Sequence, residues 1–76
     1  MLQLAELKSG DRVRLNNFGA TKLSYRRKLL ALGLICGTEV MIERIAPLGC
    51  PVLIQLRGAY FSLRKDEAKE LLWEKL

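Results

Sequence analysis

Apolar and charged residues alternate in short runs along most of this chain, a pattern that predicts strands. Arg12-Val13-Arg14-Leu15 sets Val13 and Leu15 on one face and two arginines on the other, so the first strand is expected over 12–16. In residues 38–45, Val40 and Ile42 share a face opposite Glu39, Met41 and Glu43. Met41 and Ile45 break that alternation, and the second face reads as half covered. In residues 52–57, Val52, Ile54 and Leu56 share one face, with Leu53, Gln55 and Arg57 on the other. The two runs read as a half-buried antiparallel hairpin. After a tight turn at Gly58-Ala59, Tyr60-Phe61-Ser62-Leu63 reads as a short fourth strand.

One segment has the helical period instead. From Lys22 to Gly33, the spacing of Leu23, Arg27, Leu30 and Leu34 predicts a helix. Its buried face is expected to carry Leu23, Leu30 and Leu34, with Arg26 and Arg27 at the edge. Thr21 or Ser24 is placed to cap its start, and Gly33 to close its end. Residues 64–69 have helical propensity. Residues 71–76 continue that helix or form a closing strand. The strand is favoured, because a small barrel must cover the edge of its first strand. The sum is a mainly β chain, a small barrel or curled sheet with one α-helix inserted after the first strand and a short helical turn near the C-terminus.

A length of 76 residues predicts one domain, 1–76, and an apolar share of 50% is enough for one small core. No run of 18 apolar residues is present, and MLQLAELKSG lacks the basic start of a secretory signal, so a cytosolic protein is expected. Cys36 and Cys50 form no CxxC pair and read as reduced, part-buried thiols. With no histidine in the chain, neither a metal set nor a cofactor site is expected.

The missing histidine also removes the usual general base and both Ser-His and Cys-His pairs, so no catalytic residue is assigned. Neither GxxxxGK[ST] nor GxGxxG occurs, and any role for GTP would belong to a partner. Two surfaces are left as candidates for binding. One is the corner APLGCP, residues 46–51, where Pro47 and Pro51 stiffen the connection and Leu48 sits at the tip. Pro47 and Leu48 either fold inward to cap the barrel or stand out as a contact. The other is the basic group Lys22, Arg26, Arg27 and Lys28, which is either a solvated face or a dock for acidic side chains or phosphates. Among the aromatic residues, Phe61 is expected in the core and Tyr60 half exposed, while Tyr60 and Trp73 are the ones placed to sit outside.

Four ordered pieces resemble the FeoA family, small cytosolic proteins of bacterial ferrous iron uptake. They are LAELKSGDRVRL (4–15), RRKLLALGLICGTEV (26–40), APLGCPVLIQLRG (46–58) and YFSLRKDEAKEL (60–71). The resemblance implies an SH3-like β-barrel with an inserted helix. It implies action beside the membrane iron permease FeoB, which carries a cytosolic GTP-binding domain. It also implies recruitment to the inner face of the cell membrane. The family usually has Asp where Cys50 stands and often Pro where Cys36 stands. An Asp there would bond neighbouring backbone N–H groups, which cysteine does only weakly.

Three readings follow. The first is a non-catalytic accessory module of the iron permease, bound through Lys22, Arg26, Arg27 and Lys28 and through Pro47, Leu48 and Pro51. The second is a small-barrel nucleic-acid-binding module, suggested by a net charge of +5 but lacking an aromatic stacking run. The third is a metal sensor built on the two cysteines and carboxylates. Oligomeric state is left open, since an exposed final strand would pair between chains.

Overall fold

A computed structural model describes all residues, Met1–Leu76. Five antiparallel strands run in the order β4-β3-β2-β1-β5, with β1 at Arg12–Asn17, β2 at Glu39–Ile45, β3 at Val52–Leu56, β4 at Ala59–Leu63 and β5 at Leu72–Lys75. The nine-residue helix α1, Leu23–Ala31, joins β1 to β2, and the short helix α2, Lys65–Ala68, joins β4 to β5. The sheet curls without a ladder between β4 and β5. The strand expected within residues 71–76 forms over Leu72–Lys75 and pairs with β1. Leu2 covers the outer side of β5 by exchanging two 2.8 Å backbone hydrogen bonds with Trp73.

The alternating residues face as the pattern predicts. Val13, Leu15, Val40, Ile42, Val52, Ile54, Leu56 and Leu63 are buried in one core. The irregularity at Ile45 has a local cause. Ile42 pairs with Ile54 and Arg44 with Leu53, so Glu43 is an extra residue, a bulge. Ile45 then faces Val52 and rejoins the core side, packed against it. A second irregularity at Asn16, between the pairs Leu15–Trp73 and Asn17–Leu72, bends β1 where the chain leaves toward α1.

Three expectations are corrected. Trp73 does not sit outside; it is fully buried, because β5 docks against β1 with Trp73 opposite Leu15. The helix buries Tyr25 and Leu29, not the Leu23–Leu30 stripe, and both of those leucines are exposed. Leu34 is buried, but it follows the left-handed turn at Gly33 (φ +95°), so helical spacing no longer relates it to Leu23. That turn does close the helix, with Gly33 N–H on Leu30 O and Leu34 N–H on Leu29 O, each 3.0 Å. Neither Thr21 nor Ser24 caps its start. Lys22 occupies that position without a side-chain bond, and the Thr21 hydroxyl donates back to Phe18 O at 2.5 Å.

Gly19 is required where it stands. Its φ is +57°, and a Cβ there would lie 2.2 Å from the Glu70 carbonyl oxygen. This close approach locks the β1–α1 loop against the segment after α2.

Candidate functional site

The APLGCP corner stands out from the sheet. Pro47, Leu48 and Pro51 are all exposed, Leu48 at 96%, so the inward-folded alternative for Leu48 is overturned. The reason is backbone geometry. Leu48 and Gly49 both take left-handed conformations, φ +68° and +79°, and turn the chain back before Leu48 can reach the core. The turn is held by Gly49 N–H on Ala46 O (2.9 Å) and Ala46 N–H on Pro51 O (3.1 Å). A bulky residue at positive φ is strained, and here the strained residue carries an almost fully solvated apolar side chain.

Cys50, half buried, faces away from the tip. Its Sγ accepts the backbone N–H of Lys65, the first residue of α2, at 3.4 Å. This weak bond joins the corner to α2. Between them and the turn Leu4–Glu6 lies an open groove of about 450 Å³, lined by Gln3, Leu4, Ala5, Cys50, Lys65, Asp66 and Lys69. A smaller recess of about 140 Å³ continues beneath it to Leu7, Ile45, Gly49 and Val52. Sequence reasoning did not find this groove, because its walls come from three distant segments. Cys36 is exposed in the loop after α1, and not part-buried as expected.

On the other side of α2 lies a polar groove of about 270 Å³. Lys22, Ser24 and Tyr25 contribute one wall, and Asp66, Glu67, Lys69 and Glu70 the other. Asp66 and Lys69 border both grooves, so α2 is the partition between the corner and α1. Burial pushes the Tyr25 hydroxyl pKa up, and the nearby Glu67 and Asp66 carboxylates push the same way, while a bond from the Arg64 backbone opposes them.

The four basic candidates do not form one patch. Arg26 is half buried and lies over Phe18, its guanidinium carbon 5.4 Å from the ring centroid, with Nη2 3.5 Å from Gly19 O. It is a structural strut for the β1–α1 loop. Lys22, Arg27 and Lys28 are exposed and make no intramolecular ion pair. Lys28 borders a small recess with Ser24, Tyr25 and Glu67 on the α2 side. Arg27 borders neither groove and lies between Leu23 and Leu30 along the helix.

Residues 2–75 match the family model described as FeoA domain. The chain belongs to the FeoA family. It is similar to the FeoA protein from Chlorobium tepidum, with 35% identity and a TM-score of 0.88, over 99% of this chain and 70% of that one. It is also similar to a FeoA-like protein from Clostridium acetobutylicum, with 39% identity and a TM-score of 0.83, over 99% and 86%. A third relative is Stenotrophomonas maltophilia FeoA complexed with zinc, with 27% identity and a TM-score of 0.79, over 97% and 91%. That protein is described as an SH3 domain protein and put forward as a ferrous iron transport activating factor. The fold of the present chain is accordingly SH3-like. No group of three or more Cys, Asp or Glu side chains is gathered here as a metal set, and no helix is long and apolar enough to cross a membrane.

Proposed function

We propose that this chain is a non-catalytic accessory protein of ferrous iron uptake, acting in the cytoplasm at the inner face of the membrane by contact with the permease FeoB. The observation that carries this reading is the FeoA-domain match across residues 2–75, in company with a relative put forward as a transport activating factor. The surface geometry supports a binding role. Leu48 is an apolar residue presented on a pinned turn, and α1 presents Arg27, an exposed cation that makes no ion pair within the chain. A pinned turn loses little entropy on association. The candidate contacts are Pro47, Leu48 and Pro51 at the corner and Lys22, Arg27 and Lys28 on the helix. Arg26 acts behind them, through the loop it supports.

The test is capture of detergent-solubilised FeoB by the purified, nuclease-treated protein at low and moderate salt. Recovery at both salts is the expected result. Recovery of nucleic acid alone, lost as salt rises, would transfer the assignment to a nucleic-acid module.

A further inference from the structure

The charge of this chain is segregated. Residues 12–38 hold six cations (Arg12, Arg14, Lys22, Arg26, Arg27 and Lys28) and no carboxylate, whereas the rest holds seven cations and eight carboxylates. The fold neutralises only part of the excess. Arg12 pairs with Glu39, and Arg14 with Glu74 at 3.1 Å. Arg26 is committed to Phe18. What is left is α1, where Arg27 lies one helical turn from both Leu23 and Leu30, and those leucines are 56% and 42% exposed. The inner face of the helix is already filled by Tyr25 and Leu29. The outer stripe is therefore an apolar–cationic–apolar row with no partner within the chain.

We propose that the outer face of α1 docks an acidic amphipathic helix of a protein partner. Leu23 and Leu30 receive its apolar side chains, and Arg27 between them receives its carboxylates. The proposal rests on the functional reading above and names the chemistry of that contact. Charge complementarity selects this occupant. A second copy of the chain, packed α1 on α1 about a two-fold axis, would set Arg27 against the cations of its mate. A lipid surface would take the cations, but two leucines without an outward aromatic residue make a poor interfacial anchor. A nucleic acid would take the cations, but the stripe offers no ring on which a base could stack. A helix bearing carboxylates beside apolar residues satisfies all three positions at once, by the groove-and-ridge packing of helix pairs.

The experiment measures affinity for purified, solubilised FeoB, using wild type, Arg27→Glu, Leu30→Asp and Leu48→Asp, with each fold checked by circular dichroism. Both α1 residues are exposed, so the first two substitutions leave the core intact. Overlapping 20-residue peptides from the cytosolic segments of FeoB locate the contact. The expected result is a weakening of about tenfold or more for Arg27→Glu and for Leu30→Asp. The bound peptides should be acidic and amphipathic, and Glu→Arg in such a peptide should restore binding to the Arg27→Glu protein. Wild-type affinity in both α1 variants overturns the docking proposal, and leaves the functional reading intact if FeoB is still bound. Equal loss on phosphatidylglycerol vesicles or on a 20-nucleotide single strand, with no acidic peptide retained, overturns it in favour of those ligands. Absence of FeoB binding by wild type sinks the functional reading itself, and the proposal with it.

Discussion

The Arg26 guanidinium carbon lies 5.4 Å from the centre of the Phe18 ring, across the loop that leads from β1 into α1. A cation over an aromatic face contributes about 0.5–1 kcal/mol at partly exposed sites, and the stem of the arginine adds packing. Arg26→Ala is expected to cost about 1 kcal/mol in urea unfolding, while Arg27→Ala, which touches nothing comparable, should stay within about 0.5 kcal/mol of wild type. Equal costs for the two would show that the stacking contributes nothing. The result also bears on mapping experiments, because loss of binding in an Arg26 variant confounds surface with fold.

The strands were legible because a two-residue period survives in Val13–Leu15, Val40–Ile42 and Val52–Ile54–Leu56, and each set is buried. The bulge at Glu43 was visible only as a disturbance at Ile45, since a single inserted residue leaves no composition mark. The helix was found but its rotation was not. Three leucines outweighed one tyrosine in the pattern, yet the tyrosine reaches α2 and the leucines do not. That choice is tertiary, made by Phe18 and Arg26 on one flank and by Glu67 on the other. Trp73 was misplaced for a related reason: a short strand with one aromatic residue does not reveal which face meets β1. Of the site, the exposed corner and the cations could be read directly. The groove beside Cys50 could not, because Leu4, Cys50 and Lys65 meet only in three dimensions.

The Cys50 thiol sulfur accepts the Lys65 N–H at 3.4 Å, a weak bond between the corner and α2. An aspartate in that place would make a charge-assisted bond to the same donor, at the head of α2 and beside the Lys65 and Lys69 side chains. Cys50→Asp is expected to raise stability by about 0.5–1 kcal/mol near neutral pH. The gain should vanish as pH falls through the carboxylate range, where the oxygen loses its charge. Thermal unfolding of the two proteins at pH 7 and pH 3 measures the difference, and a destabilised variant at pH 7 would show that the corner cannot present the carboxylate to α2.

Tyr25 has its pKa raised above its ordinary value of 10.0, chiefly by burial and then by Glu67. In the unfolded chain the hydroxyl ionises first. Between the unfolded and folded pKa values the unfolded state therefore binds fewer protons, and stability falls as pH rises. Below pH 10 the contribution is fully present. Tyr25→Phe removes the ionisation, so its stability should decline less than that of wild type as pH rises above 10.0. Urea titrations on either side of pH 10, taken as the difference between the two proteins, isolate the contribution of Tyr25. Parallel curves would mean that Tyr25 ionises in the folded protein as readily as in the unfolded one.

Leu48 combines two costs that folding alone does not explain: a left-handed backbone (φ +68°) and 96% exposure of an apolar side chain. A left-handed non-glycine residue costs about 1–2 kcal/mol, and asparagine tolerates the conformation better than leucine. Leu48→Asn is therefore expected to hold or raise stability by up to about 1 kcal/mol, since no packing is lost. If the corner is a contact, the same variant should bind solubilised FeoB more weakly by about tenfold, the loss of one well-placed apolar anchor. The opposite pair of results would reassign Leu48. A less stable variant with unchanged affinity would show that the side chain serves the turn, and Pro47 and Pro51 would then be the remaining residues of the corner to test.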